Sequence, residues 1–107
     1  MIITLPHIIA RKFSALTIYP FIFVRHANYK TDYVLINHEK IHIRQQKELL
    51  WFGFFVLYLL EYLIKLLYYR NSFLAYQNIS FEREAYQNED CLDYLTSRKM
   101  FSNFKYL

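Results

Sequence analysis

The sequence predicts a mainly helical α+β domain: a short N-terminal strand or hairpin, a helix bearing two histidines, a long apolar helix, and a later helix carrying carboxylates. Three observations predict it. With one Gly and two Pro among 107 residues and 55% hydrophobic side chains, disorder and low complexity are excluded and long helices should dominate. β-branched and aromatic runs of strand length sit in the first third. From Leu49 to Tyr69 the chain is almost wholly apolar, interrupted only by Gly53, Glu61 and Lys65. At this length a single domain over residues 1–107 with one modest core is expected.

Taken in order, Leu16-Thr17-Ile18-Tyr19 and Phe21-Ile22-Phe23-Val24, punctuated by Pro6 and Pro20, read as strands or the arms of a hairpin. The polar stretch His26 to Asp32 reads as a loop, after which Tyr33-Val34-Leu35-Ile36 leads into Asn37. Asn37 is a good N-cap residue, so a helix is expected to start near His38 and run through Gln45 and Glu48. The apolar run continues it as one long helix or two abutting ones, and Arg70-Asn71-Ser72 reads as a break. Ser80 is a usable N-cap with Glu82 and Glu84 close behind it, where acidic side chains suit the helix dipole, and the helix it opens is expected to reach about Arg98.

The net charge of +4 comes from Lys and Arg scattered along the chain. Nucleic-acid binding would want a clustered basic face, so no nucleic-acid partner is expected; an anionic membrane surface suits the charge better. Cys91 is alone, which excludes an internal disulfide, fits a reducing compartment, and reads as a small buried hydrophobe. Met1 to Ala10 lacks the pattern of a secretory signal, and without export the acceptor-like Asn78-Ile79-Ser80 carries no meaning.

The chemistry lies in His38-Glu39-Lys40-Ile41-His42, an H-E-x-x-H motif. Helical positions four apart share a face, so both imidazoles can approach one zinc ion. Glu39, one residue beyond the first ligand, lies beside the metal, where a carboxylate can take a proton from water. Shuffling this composition produces the motif in roughly one chain in 160. A catalytic zinc needs a third protein ligand and an open fourth position. Glu82 or Glu84 could supply the third, but not both, because residues two apart on a helix diverge by about 200°. Tyr86, Tyr76 and His26 are candidates for stabilising a developing oxyanion, whereas His7 and His26 read first as ordinary loop or surface histidines.

HEKIH followed some forty residues later by a helical Glu-x-x-Ala resembles the gluzincin group of zinc metallopeptidases. In its membrane-embedded members the later motif is Glu, two residues, Ala and then Asp, and the Glu is the third zinc ligand. Laid on this chain, the resemblance falls on Glu82 and Ala85, so it implies Glu82 as the ligand with Glu84 the fallback, and Tyr86 stands where the family has Asp. It implies a zincin-like fold, Zn2+ as cofactor, a peptide or protein substrate, and peptide hydrolysis with Glu39 as general base. By the same analogy, a strand such as Phe21 to Val24 would be the edge along which an extended substrate pairs. Two other readings compete: a non-catalytic zinc-binding or interaction module, and a small helical membrane protein whose HEKIH is accidental.

Leu49 to Leu60 is 12 residues without charge, short of the roughly 20 that cross a bilayer, and 21 residues to Tyr69 include Glu61 and Lys65. Those two, four apart, are expected to pair on one helix face. A helix apolar nearly all round requires cover that so small a domain scarcely provides. Membrane association, on the cytoplasmic side, is therefore expected first, then a homo-oligomer interface, then a soluble cytoplasmic monomer wrapped round its central helix.

Overall fold

Helix α1 (Tyr33–Glu48) is the axis around which the other elements gather. The computed structural model describes residues 2–5 and 14–107, so the readings made for Pro6 and His7 lie outside the described residues. α1 begins a turn earlier than the sequence reading expected, because Asp32 caps it: its carboxylate accepts the Leu35 amide at 3.2 Å. Asn37 is therefore not a cap. It lies buried inside α1, and its side-chain amide donates to the carbonyls of Glu89 and Cys91, both at 2.9 Å.

The fold is α+β and mainly helical, with one small sheet in the order β1-β3-β2. β1 (Ile2–Thr4) runs parallel to β3 (Phe21–Val24), and β2 (Ala15–Ile18) forms the expected hairpin with β3, pairing Leu16 with Phe23 and Thr17 with Ile22. Because β3 is central, it cannot serve as an open edge; that position belongs to β2 on the side away from β1. Ile22 and Val24 alternate inward, as a half-buried strand requires, and pack on Ile36 of α1 with Ile2, Ala15, Tyr29 and Ile43 around them. Residues Ala27–Thr31, read as loop, make a 3-10 turn.

The chain reverses after α1 at Leu50 and Trp51, whose φ values of 56° and 62° lie in the left-handed region that non-glycine residues rarely occupy. Helix α2 (Phe52–Tyr69) then runs back across the molecule, so the apolar run forms a separate helix and not a continuation of α1. A left-handed Arg70 ends it, and Asn71 caps α3 (Ser72–Gln77) by accepting from the Phe73 and Leu74 amides, both at 3.0 Å. Helix α4 (Ser80–Asn88) stops ten residues short of the expected Arg98, because the Asn37 amide takes up main-chain carbonyls at its end and the chain turns away. A short α5 (Tyr94–Ser97) and a 3-10 turn over Ser102–Tyr106 complete the described chain. Cys91, expected to be buried, is exposed in the turn between α4 and α5, its thiol donating to Asp93 at 3.0 Å.

Phe54 of α2 meets Ile79 and Phe81 of α4 in a second apolar cluster, with Leu49, Leu57 and Tyr58 packed against it. The outer face of α2 is open: Leu60, Ile64 and Leu67 are 51%, 56% and 80% exposed. Glu61, the charge that interrupts the run, engages Ser80: one carboxylate oxygen accepts the Ser80 amide at 2.7 Å and the other the Ser80 hydroxyl at 2.8 Å. It thereby caps α4, a place where backbone amides lack helical partners. Glu61→Ala leaves the buried Ser80 amide without this acceptor and is expected to cost about 1–3 kcal/mol, read as a lower urea midpoint. An unchanged midpoint would show that the contact contributes nothing.

Candidate metal centre

Helical spacing puts His38 and His42 on the face of α1 that meets α4, one turn apart, with ring centroids 4.8 Å from each other. Glu82, in the first turn of α4, points back at them. His38 Nε2, His42 Nε2 and Glu82 Oε1 form a nearly equilateral triangle with edges of 3.2, 3.2 and 3.1 Å. All three residues are buried, with about 5% of their surface exposed. Glu84, two residues on, projects elsewhere, as the helical geometry requires, and meets Gln45, Tyr94 and Arg98.

The outer nitrogens decide what the inner ones can be. His42 Nδ1 lies 2.7 Å from the Gln45 side-chain oxygen, and His38 Nδ1 lies 3.5 Å from a Glu89 oxygen. Both partners are acceptors, so each Nδ1 carries the hydrogen and each neutral ring turns an Nε2 lone pair inward. Three lone-pair atoms then face one point, an arrangement that repels unless a proton or a cation stands between them. The proton alternative is visible in the electrostatics. Burial alone would lower the His42 pKa, but the charge of Glu82 and its hydrogen bond overcome this and raise it to about 9. Burial likewise works against ionised Glu82, yet the two imidazoles hold it well below the usual carboxylate range.

The donor set also fits a cation. Tetrahedral zinc with ligands at about 2.1 Å has ligand edges of about 3.4 Å, close to the triangle found. Among the described residues, His38, Glu39 and His42 are a group whose ligand atoms all lie within 4.8 Å of one another and could hold a metal ion. Within this cluster Glu82 is better placed than Glu39 to share a cation with both histidines. Its oxygen is equidistant from both Nε2 atoms, whereas Glu39 Oε2 is 3.7 Å from His38 Nε2 and Glu39 Oε1 is taken by the Thr17 hydroxyl at 2.7 Å.

Supporting contacts complete the centre, and the sequence reading had missed them. Tyr58 of α2 donates to the second oxygen of Glu82 at 2.6 Å, while Gln45 and Glu89 orient the histidines. Tyr86, where the gluzincin pattern has Asp, sets its ring edge-on to His38 at 4.5 Å and pairs its hydroxyl with that of Tyr76 at 3.0 Å. Of the oxyanion candidates, Tyr76 lines the cavity beside the histidines, and burial with the Glu82 charge pushes its hydroxyl far above the ordinary value, so it remains a donor. His26 is exposed against Tyr29, away from this cavity.

The cavity holds about 640 Å³ between β2, α1, α2 and α3. Its apolar walls include Leu16, Phe54, Phe55, Leu59 and Phe73, and among the described residues Glu39 and Glu82 are the carboxylates that line it. Comparison with family models, curated proteins and solved structures finds no match to this chain.

Because the folded His42 value lies above the ordinary 6.5, the pair stabilises the metal-free fold fully below about pH 6.5 and loses that contribution as pH rises through about 9. Glu82, depressed, adds stability above its ordinary 4.5 that is lost as pH falls below it. Urea midpoints in chelator are therefore expected to decline from pH 6.5 to 9. A zinc titration at pH 7 should release about one proton per ion bound. A flat alkaline limb with no proton release would refute this account of His42.

Proposed function

We propose that the chain is a zinc metallopeptidase of zincin-like arrangement, with His38, His42 and Glu82 holding the metal and Glu39 as general base. The observation that carries this reading is the buried triangle of three inward lone-pair atoms, with edges of 3.1–3.2 Å and the Glu39 carboxylate alongside. A zinc ion held by these three residues would supply Lewis acidity to water and to the scissile carbonyl. The rest is the work of this chain's side chains. Thr17 ties down Glu39 Oε1, so Oε2, the atom turned toward His38, is the one that accepts the proton of water and returns it to the leaving nitrogen. Tyr58 and the outer partners of the histidines hold the triangle in place. Tyr76, protonated, in the cavity wall and paired with the Tyr86 hydroxyl, is the residue we assign to a developing oxyanion.

The substrate this cavity suits is a peptide or protein segment with bulky apolar side chains. Pairing of Ser14 with Arg25 across the hairpin turns the main-chain groups of Ala15 and Thr17 to the outer edge of β2, beside Glu39. Gln46 occupies part of that edge, donating to the Thr17 carbonyl at 2.8 Å, which leaves room for only a short stretch of strand pairing. We place the protein at a lipid surface, on its cytoplasmic side. α2 is long and apolar enough to cross a membrane, but Phe54, Tyr58 and Glu61 engage the domain while the opposite face is exposed. A helix with one face committed to its domain lies in the interface, with its open face in lipid.

Metal analysis of purified protein is expected to find one zinc per chain, lost in His38→Ala and in Glu82→Ala. Glu39→Gln should keep the zinc and lower cleavage of a fluorogenic peptide library by at least about 100-fold. Wild type without zinc refutes the metal centre. Zinc with no cleavage by wild type leaves the non-catalytic zinc module, which Tyr86 in place of the family's Asp favours. Flotation with anionic vesicles should carry wild type upward and leave Leu60→Glu/Ile64→Glu behind; equal flotation of both would remove α2 from the lipid contact.

A further inference from the structure

One buried carboxylate that neither the metal triangle nor the proposed proton transfer uses is Glu84, 0% exposed and two residues from Glu82. It accepts four hydrogen bonds from three residues. One oxygen accepts from Gln45 Nε2 at 2.9 Å and Arg98 Nη2 at 3.1 Å; the other accepts from the Tyr94 hydroxyl at 2.6 Å and from Arg98 Nε. Arg98 reaches on to Glu48 at the end of α1. A buried ion pair of this kind seldom adds net stability over an apolar core, so its position beside the metal centre calls for a reason.

Gln45 supplies the link. Its amide has an acceptor end and a donor end, and the two differ in what they allow at His42. The donor end is committed twice, to Glu84 and to the Phe81 carbonyl at 3.1 Å. Both of those partners accept only, and a flipped amide would set oxygen against oxygen at each. The Gln45 oxygen must therefore face His42 Nδ1, which it does at 2.7 Å, and a ring bonded to that oxygen carries its hydrogen on Nδ1.

We propose that Glu84 is a positioning residue for the metal centre: through Gln45 it locks His42 in the tautomer whose Nε2 lone pair faces His38 and Glu82. This rests on the reading that those three residues hold a metal. Arg98 keeps Glu84 in its acceptor-only form, so the segment after α4 contributes to the centre without touching it. The order of transmission is Arg98, Glu84, Gln45, His42, each step a hydrogen bond whose direction is set by the one before.

Zinc affinity measured by competition with a chromophoric chelator tests it, without reference to turnover. Glu84→Gln can offer Gln45 either a donor or an acceptor, so the lock is lost and affinity is expected to fall about 10–100-fold. Gln45→Met should produce a similar loss, and Glu84→Gln combined with Gln45→Met should be no weaker than Gln45→Met alone, since both changes act along one path. A merely structural role for Glu84 predicts additive losses. If Glu84→Gln does not fold, Glu84→Asp keeps the charge for Arg98 but withdraws it from Gln45, and the same loss is expected. Zinc bound by wild type with unchanged affinity in the Glu84 variants, or with additive losses, overturns this role while leaving the metal centre standing. No zinc in wild type overturns both.

Discussion

The convergence of α1 and α4 on one buried polar point is the constraint from which the remaining contacts follow. Two imidazoles and a carboxylate within 3.2 Å of one another are costly to bury, and the layer between these helices also holds Gln45, Glu84 and Arg98. Such a layer persists only when every member is satisfied, and here the satisfaction comes from all sides. Asn37 holds the end of α4, Glu61 holds its beginning, Tyr58 takes the spare oxygen of Glu82, and Arg98 bridges Glu84 to Glu48. A chain selected for stability alone would fill this space with Leu and Ile, since apolar side chains of like volume serve as well or better.

Apolar packing is correspondingly divided. Ile22, Val24 and Ile36 form one apolar cluster and Phe54, Ile79 and Phe81 another, so among the described residues the core is divided into two small clusters. The division explains why α2 is half uncovered. One face packs on Phe81 and Glu82, and among the described residues no element covers Leu60, Ile64 and Leu67. The same economy accounts for Glu61. In the linear sequence it looks like a flaw in an apolar helix to be paired with Lys65; in the fold both its oxygens are engaged at Ser80.

What was legible in the sequence is what obeys local periodicity. The i, i+4 spacing of His38 and His42, the divergence of Glu82 from Glu84, and the hairpin around Pro20 each follow from one element's own geometry. What was not legible depends on partners distant in the chain. Tyr33-Val34-Leu35-Ile36 has strand-like composition, yet it forms the first turn of α1 because Asp32 caps it and Ile36 finds the sheet. Asn37 has the composition of a cap but serves a turn more than fifty residues later. The reversal at Leu50 and Trp51 carries no glycine, so nothing local announces left-handed backbone there; it precedes the helix whose Phe54 packs on Phe81. β1 adds to the sheet from only three residues, below the length at which alternation can be read.

Position 86, where the gluzincin pattern would put Asp, holds Tyr, and the carboxylate that meets His38 comes from farther along the chain. A residue four beyond the ligand and one seven beyond it lie on the same helical face, so a carboxylate at the later position can still reach the outer nitrogen of a histidine opposite. Glu89, seven after Glu82, does so at the end of α4, where Asn37 has already drawn that turn against α1. The aromatic ring at position 86 then covers the His38 ring from the side. Charge and cover at His38 thus come from two residues, Glu89 and Tyr86. The longer reach has a physical consequence, since 3.5 Å to a partly exposed glutamate is a weaker tether than the 2.7 Å from Gln45 to His42. At the outer nitrogens, His42 is therefore the more tightly tethered of the two histidines.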